Sequence, residues 1–336
     1  MPSLERESSR IVIAGASSLL GAELKSLLEE SRFAGWEFRL VDEEIVAGTL
    51  TEAGGEPAVI QPVEEGSFEK ARLVFFAGSP EFTRRNLKAA GGSGAIVIDL
   101  SGGIAGEAKT VAWFPKLDAL LEREFKKNAA AYAIPSAAGT AAATLALALT
   151  KNGMRRLAVV FFQPVSEAGR AGIEELESQT GQLLSFQGVG QPVFDTQVAF
   201  NMVDRFGPGS AQKLDAIRER VRVETRASLG KKAAMPAIQV VHAPVFYGTA
   251  FSVWAELETG AEAAKIARAC SDAGFMLPAE GDGGPSNVGA TGEKSILLAK
   301  PEADPSQPGS WWFWGAADNI RLPAANAVRL AEKLAE

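Results

Sequence analysis

Short apolar runs separated by helical spacers fill the first third of the chain. Ile11-Val12-Ile13 reads as a buried parallel strand; Gly15 and Gly21 then bracket a turn, and Leu20, Leu24, Leu27 and Leu28 recur at the spacing of one helix face. Residues 37–41, 72–77 and 95–100 read as further strands, running into Asp42-Glu43-Glu44, Gly78-Ser79-Pro80 and Ser101-Gly102-Gly103. Runs without polar alternation predict a parallel sheet covered on both faces. A further turn at Ile134-Pro135-Ser136-Ala137 leads into an Ala/Leu-rich helix over 141–149.

From about residue 152 the texture changes. Longer strands are predicted over 157–163, 237–242, 250–256, 295–299 and 311–314, with helices over 168–184 and 211–229 between them. This mixture predicts an α+β domain. Residues 281–287 read as a loop. The tail, 323–334, is a helix with Ala327, Leu330, Ala331 and Leu334 on one face, and the chain has no internal repeat.

Composition narrows the chemistry. At 336 residues two domains are expected, and 46% hydrophobic with 22% charged residues is the balance of a globular protein. The net charge of −7 argues against nucleic acid or an anionic membrane as the main partner. No apolar stretch approaches the ~20 residues that cross a bilayer, and the leader 1–10 lacks a signal-peptide core. One cysteine and one histidine exclude a disulfide framework and a Cys/His zinc site, so no metal is expected and the cytoplasm is the default location. Cys270 shares a predicted helix face with Ala263, Ile266 and Ala267, and reads as a buried thiol rather than as the partner of His242.

The richest chemical signal is the first turn. Free N–H groups at the start of a helix attract an anion, and placed after the first strand of a βαβ unit this geometry reads as a dinucleotide-phosphate seat. Its candidate contacts are Gly15, Ser17, Ser18, Leu19, Leu20 and Gly21, with small side chains that let a pyrophosphate approach. The spacing G-x5-G is looser than the usual fingerprint, and a ligand-free βα turn is the competing reading.

Several segments together resemble the aspartate-semialdehyde dehydrogenase family: the turn 15–21, Val97-Ile-Asp-Leu-Ser101, the segment 163–176 beginning Gln-Pro-Val-Ser-Glu-Ala-Gly, Glu224-Thr-Arg226, Ala243-Pro-Val-Phe-Tyr-Gly248, and Asp318-Asn-Ile-Arg321 with Asn326-Ala-Val328. Their order runs nearly the whole chain. The resemblance implies an α/β fold, with a Rossmann-type parallel-sheet nucleotide-binding domain over 1–135 and 318–336. An inserted α+β dimerisation domain with a large mixed sheet is implied over 136–317. It further implies a homodimer built on that sheet, and cofactor contacts at Gly78, Ser79 and Asn319. The aromatic residues Phe161, Phe162, Phe251, Trp254 and the run 311–314 put large apolar groups on both sheet faces, which also calls for a cover.

The same resemblance implies that the family's chemistry is absent. Its cysteine nucleophile falls on Ala137, its histidine acid/base on Thr249, its substrate arginine on His242, its phosphate-binding arginine on Ala105 and its amine-holding glutamate on Ile217. Arg220 and Gln163 keep a nearby basic position and a strand glutamine. Ser136, His242, Gln163 and Arg220 are therefore the residual pocket. Ser136 lacks a base nearby in sequence and suits a helix-capping or anion-binding role; His242 reads either as pocket or as a hydrogen-bonded strand histidine. NADP-preferring relatives carry a serine and an arginine at the end of the second strand, where this chain has Glu43 and Ile45. An acid there accepts hydrogen bonds from a free ribose, so NAD is favoured over NADP, unless these acids are only a solvated turn beside a vestigial seat. The expectation is a non-catalytic dimer that binds NAD or another small-molecule ligand. The alternative is an NAD(P)-dependent semialdehyde dehydrogenase or oxidoreductase of altered substrate and non-covalent mechanism.

Overall fold

The computed structural model describes residues 10–44, 48, 50–53, 56–258, 260–279 and 281–336. Ile45 lies outside the described residues. The chain divides into two compact units: Met1–Phe114 with Phe125–Ile134 and Pro323–Glu336, and Pro115–Glu124 with Pro135–Leu322.

The first unit is built on β1 (Arg10–Ala14), β2 (Glu37–Asp42), β5 (Gln61–Pro62), β6 (Ala71–Phe76), β7 (Ile96–Asp99), β8 (Thr110–Ala112) and β9 (Ala131–Ala133). They form one sheet in the order β5-β2-β1-β6-β7-β9-β8, and every pairing in it is parallel. Helices α1 (Leu19–Glu29) and α2 (Pro80–Gly92) follow β1 and β6, and a small antiparallel pair, β3 (Leu50–Ala53) and β4 (Glu56–Val59), precedes β5. Side chains alternate across a strand. Ile11, Ile13 and Phe75 accordingly enter one core with Leu24 and Leu28, while Val12, Ala14 and Phe76 enter another with Phe82 and Val97. Both faces are covered, which is why these strands read as unbroken apolar runs.

The second unit contains α3 (Leu117–Leu120), α4 (Ala137–Thr150), β10 (Arg156–Gln163), a 3₁₀ turn (Val165–Ala168), α5 (Gly169–Leu184), α6 (Leu214–Leu229), β11 (Ala237–His242) and β12 (Thr249–Glu256). It continues with α7 (Ala263–Ala273), β13 (Phe275–Met276), α8 (Asn287–Ala290), β14 (Ile296–Leu298), β15 (Glu302–Ala303) and β16 (Ser310–Ala317). Its sheet runs β11-β10-β12-β16-β14-β13, with β15 pairing β16. It is mixed: β10 runs parallel to β11 but antiparallel to β12.

Helix α4 begins four residues earlier than its apolar run suggests, because Ser136 caps it: its side chain accepts from Gly139 N–H. Every residue of α4 from Ala137 to Leu149 is buried, which accounts for its lack of charge. On β16 the alternation is plain. Trp311 and Phe313 are buried, whereas Trp312 and Trp314 are 44% and 40% exposed. They share the outer face with Trp254 and Phe162, the latter ring 5.8 Å from Trp314. The last helix, α9 (Arg321–Ala335), sends Ala327, Leu330, Ala331 and Leu334 into the core that holds Ile11 and Ile13.

Candidate functional site

The turn between β1 and α1 is held by close backbone contact. Gly15 has φ +91°, and a Cβ there would stand 2.2 Å from the amide nitrogen of Gly78; one on Gly21 would stand 2.3 Å from the Gly15 carbonyl oxygen. The two expected cofactor turns, at Gly15 and at Gly78-Ser79, therefore touch through their main chains, with Ser79 capping α2 at Phe82 N–H. Leu19 and Leu20 open α1, where N–H groups have no carbonyl one turn earlier in the helix.

The serine hydroxyls have internal partners. Ser18 Oγ donates to the Ala77 carbonyl (2.8 Å) and accepts from Gly21 N–H (2.8 Å). Ser17 donates its N–H (2.8 Å) and its hydroxyl (2.6 Å) to Asp42 Oδ2. Asp42, at the end of β2, is buried, and its other oxygen accepts from Glu43 N–H. Both serine hydroxyls are thus engaged inside the turn. Beyond Asp42 a pocket of about 850 Å³ opens, lined by Asp42, Glu43, Glu44 and Glu64 on one side and by Phe82, Arg85 and Asn86 of α2 on the other. Glu43 Oε1 accepts from Arg85 Nη2 at 2.5 Å.

The turn after β7 keeps a scaffold. Asp99 accepts from Ser101 N–H and Oγ with one oxygen and from Ile104 N–H with the other. It shapes the loop that ends at Ala105, a loop whose Gly103 carbonyl accepts from Arg84 Nη1 of α2 at 3.4 Å.

In the second unit the structure assembles a cluster that sequence spacing does not reveal. Ile217, Arg220 and Glu224 lie on one face of α6. Glu224 is buried and points at the start of α4: its Oε2 accepts from Ser136 N–H (3.0 Å) and Ser136 Oγ (2.5 Å), and its Oε1 accepts from Arg220 Nε (2.8 Å). A Cβ on Gly139 would lie 2.5 Å from the same carboxylate, so Gly139 makes room for it. The lack of a base near Ser136 in sequence is thus corrected by the fold, which brings a carboxylate from α6. That carboxylate is already paired with Arg220, and Ser136 Oγ is also the cap of α4.

Glu167 joins the cluster from the 3₁₀ turn. Burial pushes its carboxyl up, against the opposing pull of Arg220 and of the hydrogen bond from Asn319, while Glu224 pushes it further. Asn319 donates to Glu167 Oε1 (3.1 Å) and Ser166 Oγ (3.1 Å) and accepts from Gly248 N–H (3.0 Å). Within this unit Asn319 therefore ties the 3₁₀ turn to the turn before β12.

Gln163 and Thr249 face each other across β10 and β12, with Thr249 Oγ1 donating to Gln163 Oε1 at 3.3 Å. Both are buried. His242 is the register partner of Gln163 on the neighbouring strand β11, and its own polar contacts lie elsewhere. Its N–H donates to the Val203 carbonyl, its Nε2 lies 3.3 Å from the Val198 carbonyl, and Phe194 and Phe206 wall its ring. Burial pushes its pKa down. This is the arrangement of a strand histidine.

Ala137, the first residue of α4, is buried and offers only a methyl group. Cys270 is buried on α7, its thiol pushed up to about 12 by burial. Among the described residues no group of three or more His, Cys, Asp or Glu could hold a metal ion, and no helix is long and apolar enough to cross a membrane.

Three participants were absent from the sequence-derived site: Asp42, Glu167 and Glu224. Glu167 and Glu224 stand in the family-like segments and Asp42 ends the second strand, and the i, i+4 spacing of Arg220 and Glu224 was the readable signal of a pairing.

Comparison with known proteins covers both units. Residues 10–120 match the model described as semialdehyde dehydrogenase, NAD binding domain, and residues 146–322 match semialdehyde dehydrogenase, dimerisation domain. A USG-1 protein homolog of Pseudomonas aeruginosa is 29% identical over 96% of this chain and 97% of its own length. Aspartate-semialdehyde dehydrogenase 2 of Vibrio cholerae is 28% identical over 96% and 97%. A solved probable aspartate-semialdehyde dehydrogenase from Pseudomonas aeruginosa superposes with a TM-score of 0.85 at 29% identity, covering 97% of this chain and 98% of that one. Aspartate semialdehyde dehydrogenase II from Vibrio cholerae, solved with ASA, gives 0.84 at 26%, covering 98% of each. With an all-parallel nucleotide-type sheet, a mixed second sheet and matches across both, this chain belongs to the semialdehyde dehydrogenase family.

Proposed function

We propose that this chain is a non-catalytic member of its family, a homodimer that retains a nucleotide seat and binds NAD in preference to NADP. The observation that carries this reading is Ala137. The resemblance assigns it the position of the nucleophile at the head of α4, and a methyl group has neither a lone pair nor a labile proton for covalent catalysis. The neighbouring groups support the same conclusion. Ser136 and Arg220 are engaged by Glu224, and Thr249, at the acid/base position, has a hydroxyl with no pKa near neutrality.

The nucleotide seat fits a dinucleotide in its backbone. Gly15 and Gly21 allow the close main-chain packing that shapes this turn, and the N-terminal N–H groups of α1 suit a pyrophosphate. When bound, the cofactor would supply only a hydride-accepting or hydride-donating ring; Ala137 and Thr249 offer it no covalent adduct to oxidise. Glu43 at the β2 end supports NAD over NADP, since an acid there favours a free ribose.

Homodimerisation rests on the outer face of the second sheet. Trp312, Trp314, Trp254 and Phe162 form an exposed aromatic patch there, of the kind that a twofold mate covers in isologous interfaces. None of the catalytic losses touches that face.

The test is a direct assay. Purified protein with aspartate semialdehyde, phosphate and either NAD or NADP should reduce no cofactor above the blank. Restoring Ala137→Cys with Thr249→His should add little, because Ala105 and Ile217 leave the substrate without anchors. Turnover by the wild-type chain, freed of host enzyme, would overturn the reading. Sedimentation equilibrium should give twice the chain mass, and a monomer would remove the dimer.

A further inference from the structure

The pocket beyond Asp42 has one cationic residue in its lining. Asp42, Glu43, Glu44 and Glu64 contribute carboxylates, and Arg85 alone opposes them. Asp42 is internally engaged: Oδ2 holds Ser17 twice and Oδ1 holds Glu43 N–H. The remaining polar contact across the pocket is the pair of Glu43 Oε1 with Arg85 Nη2, at 2.5 Å. Arg85 side-chain exposure is 66% and that of Glu43 is 41%, so neither is fixed by packing.

We infer that Arg85 is a latent reader of phosphate on the ribose, kept out of use by Glu43. The inference rests on the proposed nucleotide seat and names the residue pair that sets its selectivity. An arginine is the side chain best matched to a phosphate, with a planar fork of donors, and in nucleotide-binding sheets an arginine near the end of the second strand accommodates a 2′-phosphate. Here the guanidinium lies on the right wall, but its charge is neutralised by the carboxylate beside it. Two effects therefore act together against a 2′-phosphate. Glu43 repels it, and Glu43 also withholds the one group that could bind it. Glu44 and Glu64 add repulsion from the other wall, whereas a free ribose diol can donate to these carboxylates.

This makes an unusual demand on mutants. In the wild-type protein Arg85 is engaged, so R85A should move the preference between the two ligand types by less than threefold. Removing the charge of Glu43 by E43Q should release Arg85 and improve binding of the 2′-phosphorylated ligand at least tenfold relative to the unphosphorylated one. In E43Q/R85A that gain should vanish. Repulsion alone would leave the gain in place in the double variant, so the cycle separates release of Arg85 from simple loss of a negative charge.

The experiment is isothermal calorimetry on the full chain with adenosine 5′-diphosphate and adenosine 2′,5′-diphosphate as probes, together with NAD and NADP. Both residues are on the surface, and thermal melts of each variant should coincide with the wild type. The inference is supported by a switch in E43Q that R85A cancels. It is overturned if E43Q leaves the ratio unchanged, or if the gain survives in E43Q/R85A; either result leaves the nucleotide seat standing when the wild type binds adenosine 5′-diphosphate or NAD. Failure of the wild type and all variants to bind any of the four at millimolar concentration overturns the seat and the inference together.

Discussion

Removal of the Glu224 carboxylate should unfold the second unit at markedly lower temperature. Glu224 has a side-chain exposure of 1% and accepts three hydrogen bonds, from Ser136 N–H at 3.0 Å, Ser136 Oγ at 2.5 Å and Arg220 Nε at 2.8 Å. In E224A the Ser136 N–H loses its acceptor, at a cost of about 1–3 kcal/mol, and Arg220 loses the carboxylate it donates to while keeping the attraction of Glu167; breaking a buried pair costs about 3–5 kcal/mol. Arg220 is 30% exposed, so water recovers part of this loss. The lower end, about 3 kcal/mol, is therefore expected, which lowers Tm by about 6–12 °C in a unit of this size. E224Q keeps an oxygen for Ser136 and should cost less, about 1–2 kcal/mol. Gly139 offers an internal control. A Cβ there sits 2.5 Å from Glu224 Oε2, so G139A should be costly in the wild type and less costly in E224A, where the Cβ of residue 224 at 3.0 Å and of Pro135 at 3.2 Å still crowd it. Calorimetric and urea unfolding of the wild type and the four variants measure all of this. An E224A variant within 1 kcal/mol of wild type, or additive effects of G139A and E224A, would refute the reasoning.

Other outcomes follow from single residues. Gly15→Ala forces φ +91° on a side-chain-bearing residue and drives its Cβ into the Gly78 backbone, so urea unfolding should show a loss of about 3 kcal/mol or more. His242 titrates below its ordinary 6.5 because burial disfavours the cation. The unfolded chain then takes up that proton first, so stability is full above pH 6.5 and falls as pH drops through the window below it; H242Q should flatten that limb. Glu167 acts in the opposite sense, since its carboxyl is raised from 4.5: its contribution is present at low pH and is lost as pH rises through the raised value, a slope that E167Q should remove. Cys270, with its thiol near 12, should stay unmodified by 5,5′-dithiobis(2-nitrobenzoate) at pH 8 until urea is added.

Much of the architecture was written in local pattern. The apolar runs at Ile11, Leu73 and Val97 became parallel strands because both faces of that sheet are covered, and the tail residues Ala327, Leu330, Ala331 and Leu334 enter the core in the helical register their spacing implies. The tryptophan run divided as alternation requires, Trp311 and Phe313 inward, Trp312 and Trp314 outward. Shorter elements such as α3, β8 and the β3–β4 pair escaped, because three or four residues carry too little periodicity to separate strand from turn.

The site was legible as identities but not as partnerships. Sequence alone determined that Ala137 and Thr249 cannot act as thiolate and imidazole, since no fold changes the elements in a side chain. It also determined that small residues line the first turn. Only the tertiary structure decided which polar groups are engaged. Ser136 met Glu224 across 88 residues of chain, Ser17 was taken up by Asp42 from the next strand, and Glu43 found Arg85 on α2. Periodicity reports which face of its own element a residue occupies. A hydrogen bond depends on atoms within about 3 Å, a distance that packing between elements sets and local spacing leaves open.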